Sequence, residues 1–440
     1  MEPPVRPERL AALHEVLGQL SPSLFVSLPR NDQRQKAERY VQGLLAAEGR
    51  KTLRNIAAQL GGKAAQQSVH HFISGSSWEW QPIRRSLAWH AQRLVRPQAW
   101  VVRALVIPKA GAHSVGVEQV FVPHLGQTVN GQRAFGAWMA SERCSVPFNW
   151  SLALPKSWLA DAERRSRVHI PADARAATLE EYVGGVVPHV AEGWRLRRRP
   201  VILDVEGLDP GEVWRGLRDA GAPLFVRIRR ETPLQVDAGV LPGYAGREVT
   251  AGQLVDSVRH LRRRVEWTGA GGERAGGVAA VIPGVRPYGP PAAGGDPAGG
   301  APHGPVLLLG EWPEGGGPAR LWLTDAGALP PALLLRLIRL TDVVGRDFRS
   351  VSERVGVRDF AGRSFQGWHR HITLASVAHL VAVVAGPGTA APAPRGDRSP
   401  VPGDPPRVRP AHWRVEIRNG ACASRVRECS RGGRVTVELR

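Results

Sequence analysis

A carboxylate at a strand end, a histidine pair and clustered cations are the residues in this chain whose types and spacing could do chemistry. Asp204 closes the apolar run Val201–Leu203. After it come a helical stretch, Pro210–Ala220, with Trp214 and Leu217 on its inner face, a stop at Gly221 and a second apolar run, Leu224–Ile228. Strand, helix and strand at this spacing predict a right-handed βαβ crossover. A carboxylate at the C-terminal end of a parallel strand lies where open α/β sheets keep their chemistry. The same position also suits an acid that only caps the following helix or favours its dipole. His369 and His371 form a His-x-His pair, but residues two apart on a helix face different ways. With Arg370 between them they read as exposed basic side chains near phosphate, not as metal ligands. Cys144, Cys422 and Cys429 make no C-x-x-C pair and have no histidine at zinc-finger spacing, which fits reduced thiols.

The charge balance narrows the partners. Among 440 residues, 59 Lys and Arg against 39 Asp and Glu give a formal net charge of +20, a field that favours polyanions, nucleic acid before anionic membrane. An arginine-heavy coding style would inflate the same number. A hydrophobic content of 42% excludes wholesale disorder, while 50 Gly and 37 Pro predict long irregular stretches. The N-terminus lacks the apolar core of a signal peptide. The longest apolar run, Leu374–Gly386, contains His379 and is too short to span a bilayer. A soluble, cytoplasmic protein is expected.

Several elements must position these residues. Residues 1–96 read as all-helical, with helical spacing in Pro7–Leu20 and Asp32–Ala47. Then KTLRNIAAQL, a Gly61-Gly62 break and KAAQQSVHHFI have the form of a helix-turn-helix, or of an ordinary bundle corner. On its second helix Lys63, Gln66, Gln67 and His70 would suit phosphates and base edges. Trp78, Trp80 and Trp89 are expected to pack this region onto the next. A β-rich stretch follows: a strand from Ala99, a turn at Pro108-Lys109, a strand over Ser114–Val122 and a third through Gln132–Ser141, apolar on both faces and so covered on both. Pro155–Pro188 reads as an insertion or lid. Residues 231–330 read as a Gly/Pro-rich insertion, with a helix over Gln253–Arg264 and the apolar islands Val278–Ile282 and Val306–Leu309 docking onto the sheet. Pro331–Leu340 opens a helix running towards Ser352, with Arg336 and Arg339 on its polar side. Residues 387–440 form a basic Pro/Arg-rich tail.

Four segments carry a resemblance: IPKAGAHSVGV with VFVPHLGQTVNGQ, VPFNWSLALPKSWLADAERR, VILDVEGL, and DFAGRSFQGWHRHITLASVAH. In order and wording the chain resembles bacterial insertion-sequence transposases of the DDE superfamily. The resemblance implies an α/β fold: an RNase H-like mixed sheet with flanking helices, split into 97–230 and 331–386 and preceded by an all-helical DNA-binding domain. It also implies three carboxylates holding two divalent metals that activate the attacking oxygen and stabilise the leaving one. Carried over residue by residue, the family's first paired aspartates fall on Arg103 and Ala104, the second acid on Asp204, and the glutamate on Gly345, two residues before Asp347-Phe348-Arg349. Asp204 alone is kept, with Glu206 and Asp342 as weak substitute ligands. The expected protein therefore binds double-stranded DNA in the nucleoid, without a metal cofactor and without cleaving. Lys109, Arg363, His369 and Arg370 complete the DNA-binding candidates, and a homodimer is left open. The alternatives are an active Mg²⁺ or Mn²⁺ nuclease with a rearranged acidic site, and a decayed remnant or interaction scaffold.

Overall fold

A computed structural model describes residues 6–386, apart from 123–125, 188–193, 195, 218–220, 245–247, 270, 289–305 and 314–318. The basic tail, with Cys422 and Cys429, lies outside the described residues. Five helices come first: α1 (Pro7–Leu24), α2 (Asn31–Ala46), α3 (Leu53–Ala58), α4 (Lys63–His70) and α5 (Trp80–Val95). Thr52 caps α3 by accepting from the Asn55 amide at 3.1 Å. Gly61 and Gly62 turn the chain into α4 at φ +115° and +74°, conformations that favour glycine.

The sheet opens with β1 (Ala99–Pro108), β2 (Val117–Val122), β3 (Gln127–Ala140) and β4 (Ser145–Leu152). Strand β2 begins at Val117, not Ser114, because Ser114 and Val115 belong to the approach loop, where the Val115 amide bonds the Arg363 carbonyl at 3.1 Å. β3 is antiparallel to β1, β2 and β4, and it is buried over its last nine residues apart from Arg133, so both faces are covered as expected. Gly136 permits this packing: a Cβ there would stand 2.5 Å from the Trp150 ring.

The βαβ unit forms as read: β5 (Val201–Asp204) is parallel to both β1 and β6 (Leu224–Ile228). Between them, α6 (Lys156–Ala160), α7 (Ala162–Arg167) and α8 (Leu179–Val186) precede β5, and α9 (Pro210–Leu217) links β5 to β6. The stretch 155–187 is a docked layer and not a lid. Trp158 is buried and donates its indole N–H to the Val117 carbonyl at 2.9 Å, while Val168, Val183 and Val186 are buried with it.

Residues 233–324 enlarge this sheet. The added elements are β7 (Pro233–Val236), β8 (Val249–Thr250), α10 (Ala251–Ser257), β9 (Arg263–Thr268), β10 (Arg274–Pro287), β11 (Val306–Trp312) and β12 (Arg320–Thr324). The strand order is β2-β3-β1-β5-β6-β12-β11-β10-β7-β8, with β4 on β3 and β9 on β10. Its β4-β3-β1-β5-β6 part, a meander followed by two parallel strands, is the RNase H-like core. The expected helix over Gln253–Arg264 ends at Ser257, and Arg263 and Arg264 start β9. Strand pairing decides this, since β9 aligns six residues with β10 and turns Val265 and Trp267 inward. The Val306 island is likewise a strand buried along its whole length.

The last elements are α11 (Pro331–Ile338), α12 (Leu340–Asp347), a π-type turn over Phe348–Ser352 and α13 (Phe365–Val384). Gly367–Val381 of α13 are buried without a break. β4 covers one side of this helix, and α1, α2 and α5 cover the rest, so the N-terminal helices and the sheet share one apolar core. This overturns the reading of His369 and Arg370 as exposed phosphate contacts. A helix with no solvent face must satisfy its polar residues internally. His369 stacks on Trp80 with ring centroids 4.7 Å apart and meets Arg84 at 3.0 Å. Arg370 donates to the carbonyls of Trp78 and Ile73 at 3.0 and 3.1 Å. Trp78 and Trp80 thus pack as expected, whereas Trp89 is 46% exposed beneath Arg93.

His371 lies between the Tyr40 hydroxyl and the Gly356 carbonyl, and His379 between the Ser352 hydroxyl and the Ser145 carbonyl, all at 2.8–2.9 Å. Burial pushes both imidazoles down to about 4, and that of His369 well below its usual value. Unfolded histidine binds its proton near 6.5, so between these values the unfolded chain holds more protons and stability falls as pH falls. Denaturant midpoints should drop steadily from about pH 7 towards pH 4, by up to ~3 kcal/mol per buried histidine. A flat profile would contradict neutral burial.

Candidate functional site

Register brings the three positions singled out by resemblance together. β1 and β5 pair Arg103 with Asp204, and β1 and β3 pair Arg103 with Gly136. Val226 of β6 pairs with Leu203, so Arg227 stands on the other side of Asp204. Strand side chains alternate, so register partners share a face. Across that face lies α12, where a Cβ on Gly345 would come within 3.1 Å of Arg103 Nη1. Positions 103, 204 and 345 therefore surround one small volume.

What fills that volume is a cation. Asp204 Oδ2 is ion-paired with Arg103 Nε at 2.9 Å and Oδ1 accepts from Arg227 Nη1 at 2.7 Å, while the Asp204 side chain is 5% exposed. Arg227 also reaches Glu206 with Nη2 at 2.9 Å. The capping alternative for Asp204 falls away, because Asp209 takes that role at α9 by accepting from the Glu212 amide at 3.1 Å. A second tier of charge flanks the first. Buried Glu311 is paired with Arg320 at 2.9 Å and Arg339 at 2.5 Å, and Arg320 also holds Asp342 at 2.9 Å. Asp342 and Glu206, the substitute ligands, are thus both engaged by arginine. Asp347 is buried on α12 and accepts from the Ser145 amide and hydroxyl at 2.6 and 2.9 Å.

These residues do not fit a divalent metal. Both oxygens of Asp204 are taken by guanidinium groups, and neither Arg103 nor Gly345 offers an oxygen ligand. Among the described residues no three His, Cys, Asp or Glu side chains cluster as a metal site would need. A guanidinium about 4 Å from a dication costs several kcal/mol even at an effective dielectric near 20.

The remaining candidates are dispersed. Gln66, Gln67 and His70 are exposed on α4; the Lys63 side chain lies outside the described residues. Lys109 is half-buried, its ammonium donating to the Phe360 carbonyl at 2.6 Å. Burial, and then Arg50, push its pKa down to about 8, with Asp359 acting the other way. It therefore clamps the end of β1 to the loop before α13. Arg363 is exposed on that loop. Sequence reasoning missed Arg227, although its place one strand from Asp204 followed from the βαβ unit. It also missed Arg320, whose partners Glu311 and Asp342 come from distant segments and leave no local signal.

A family model described as DDE superfamily endonuclease matches residues 23–267, more than half of the chain. The chain belongs to that superfamily. No curated protein matches it. The matched span contains Arg103 and Asp204 and ends before Gly345.

Asp204→Asn keeps the side-chain shape but removes the charge that Arg103 and Arg227 share. A loss of ~2 kcal/mol is expected in chemical denaturation, below the usual value for a broken buried pair because both arginines are about a third exposed. Glu206→Gln, at a half-exposed carboxylate, should cost less than ~1 kcal/mol. Equal effects would contradict a central role for the Asp204 pairs.

Proposed function

We propose that this DDE-superfamily protein binds double-stranded DNA and does not cut it. One observation carries the reading: Arg103 stands on Asp204 where the superfamily chemistry requires a carboxylate and a metal. The positions implied by resemblance for the three acids, 103, 204 and 345, converge in space, which supports treating them as the former catalytic centre. DNA as the partner is supported by the superfamily's substrate and the +20 charge. It is supported further by α4, whose exposed Gln66, Gln67 and His70 follow a glycine turn in the manner of a reading helix. Phosphate binding depends on Lys and Arg, so it survives the loss of metal ligands.

Purified full-length protein should retain duplex DNA at low salt, lose it steeply as salt rises, and leave supercoiled plasmid intact in Mg²⁺ or Mn²⁺. Nicking that vanishes in Asp204→Ala would overturn the non-cleaving reading, and failure to retain duplex at low salt would overturn the binding one. Joint substitution of Gln66, Gln67 and His70 by Ala should weaken duplex retention at least tenfold if α4 reads the groove.

The centre can also be tested by reversal. Arg103→Asp combined with Gly345→Glu places two carboxylates beside Asp204. This variant should gain a rise of several degrees in melting temperature in millimolar Mn²⁺ that the parent lacks. A parent that is itself stabilised by Mn²⁺, in a manner abolished by Asp204→Asn, would sink the reading of an arginine-blocked centre.

A further inference from the structure

Helix α5 has a charged face that its packing against β4 and α13 leaves unused. Between Glu79 and Glu118 the chain has no acidic residue, so α5 and the turn into β1 carry only basic charge. Arg84 is buried, but Arg85, Trp89 and Arg93 are exposed at successive spacings of four, which sets them in one row along the helix. At the helical rise the row spans ~12 Å. Arg96 is exposed just past the helix end. The segment leading into β5 adds two more cations: exposed Arg197 donates its amide to Gln92 Oε1 of α5 at 2.8 Å, and exposed Arg198 lies against Gly221. Arg85, Arg93, Arg96, Arg197 and Arg198 have no ion-pair partner among the described residues.

Trp89 stands in the middle of the row and is 46% exposed. Its ring is held from two sides. The Arg93 guanidinium lies 4.6 Å from the ring centroid, and the His90 ring meets it edge-on at 4.9 Å. His90 is itself fixed by the Ser23 hydroxyl of α1 at 2.8 Å. Burial, and then Arg93, push the His90 imidazole down to about 4, so at neutral pH it supports the ring without adding charge. A ring already fixed in place loses little freedom when something stacks on it. This face lies away from the Arg103–Asp204 centre. The Trp100 amide donates to the Pro200 carbonyl and the Val201 amide to that of Pro223, so Arg197 and Arg198 precede the start of β5, whereas Asp204 ends it.

We propose that this face of α5 binds single-stranded DNA, with a base stacked on Trp89 and the phosphates on either side held by Arg85 and Arg93, and with Arg96, Arg197 and Arg198 extending the track. Guanidinium groups suit phosphate oxygens because they donate in a fixed planar fork. An aromatic ring between cations is the arrangement that takes an unpaired base, since every base has a face to stack. In a duplex the bases are stacked on one another, and Trp89 could reach only the backbone. An anionic membrane would need a broader apolar face than one ring between arginines. The choice of DNA over RNA rests on the reading of this protein as a DNA binder; the face shares no residue with α4, to which duplex is assigned.

Fluorescence anisotropy of the full chain with a labelled oligothymidylate, an abasic strand of equal length and a duplex tests it. The oligothymidylate should bind, and the abasic strand should bind at least tenfold more weakly. Trp89→Ala should weaken the oligothymidylate at least tenfold and leave duplex affinity unchanged, while Trp89→Phe, which keeps an aromatic face, should hold most of the affinity. Arg85→Gln with Arg93→Gln should reduce the salt slope for the single strand by ~1.4, two phosphates at ~0.7 each. Equal affinity for the abasic strand overturns the stacking site, as does an unchanged affinity in Trp89→Ala. Retention on phosphatidylserine vesicles that depends on Trp89, without binding of the oligothymidylate, would make the face a membrane contact and overturn it too. If duplex is held and the single strand is not, this face fails and duplex binding stands; the reverse sinks duplex binding and keeps the face.

Discussion

Where β1 runs beside β5, Arg103 and Asp204 are register partners on one face of the sheet, and Arg227 extends the row onto β6. A carboxylate as buried as Asp204 is stable as an anion only beside a cation. In a metal-dependent member of the superfamily that cation would come from solution. Here Arg103 and Arg227 stand beside Asp204 from the two neighbouring strands, and α12 lies over the face with glycine at the point of nearest approach. The second tier, Glu311 with Arg320 and Arg339, repeats the arrangement one step along the sheet. Together they make the floor under α11 and α12 a lattice of alternating charge.

The other constraint is the burial of α13. A helix of this length with no solvent face must be enclosed by two layers, and the layers are the N-terminal helices and β4. Its polar side chains thereby become ties. Tyr40 of α2 holds His371, Arg84 of α5 holds His369 and Thr373, and Ser376 accepts from the Trp150 indole. All the partners of Arg84 are neutral, and burial pushes its guanidinium down to about 9. The N-terminal helices are therefore joined to the sheet through packed side chains as well as through the chain.

Local pattern made much of this legible. The βαβ unit announced itself through two short apolar runs around an amphipathic helix, and the covered faces of β3 through apolar residues of both parities. Long-range pairing was not legible. Arg263 and Arg264 look like the polar end of a helix until β10 takes them as a strand, whereas the docking island Val306–Leu309 was legible and only its extension to Trp312 was not. His369 and Arg370 have the composition of a phosphate contact, and only the enclosure of α13 turns them into core.

By itself the sequence determined the RNase H-like core and the superfamily, and it put Arg103 and Gly345 where the resemblance implies acids, because these depend on residue type and on order along the chain. The tertiary structure alone decided what those two residues touch. Strand register laid the Arg103 guanidinium across Asp204, and helix packing set Gly345 against that guanidinium. Neither can be read from residues 101 and 242 positions apart, since contact between them is made only by the folded chain.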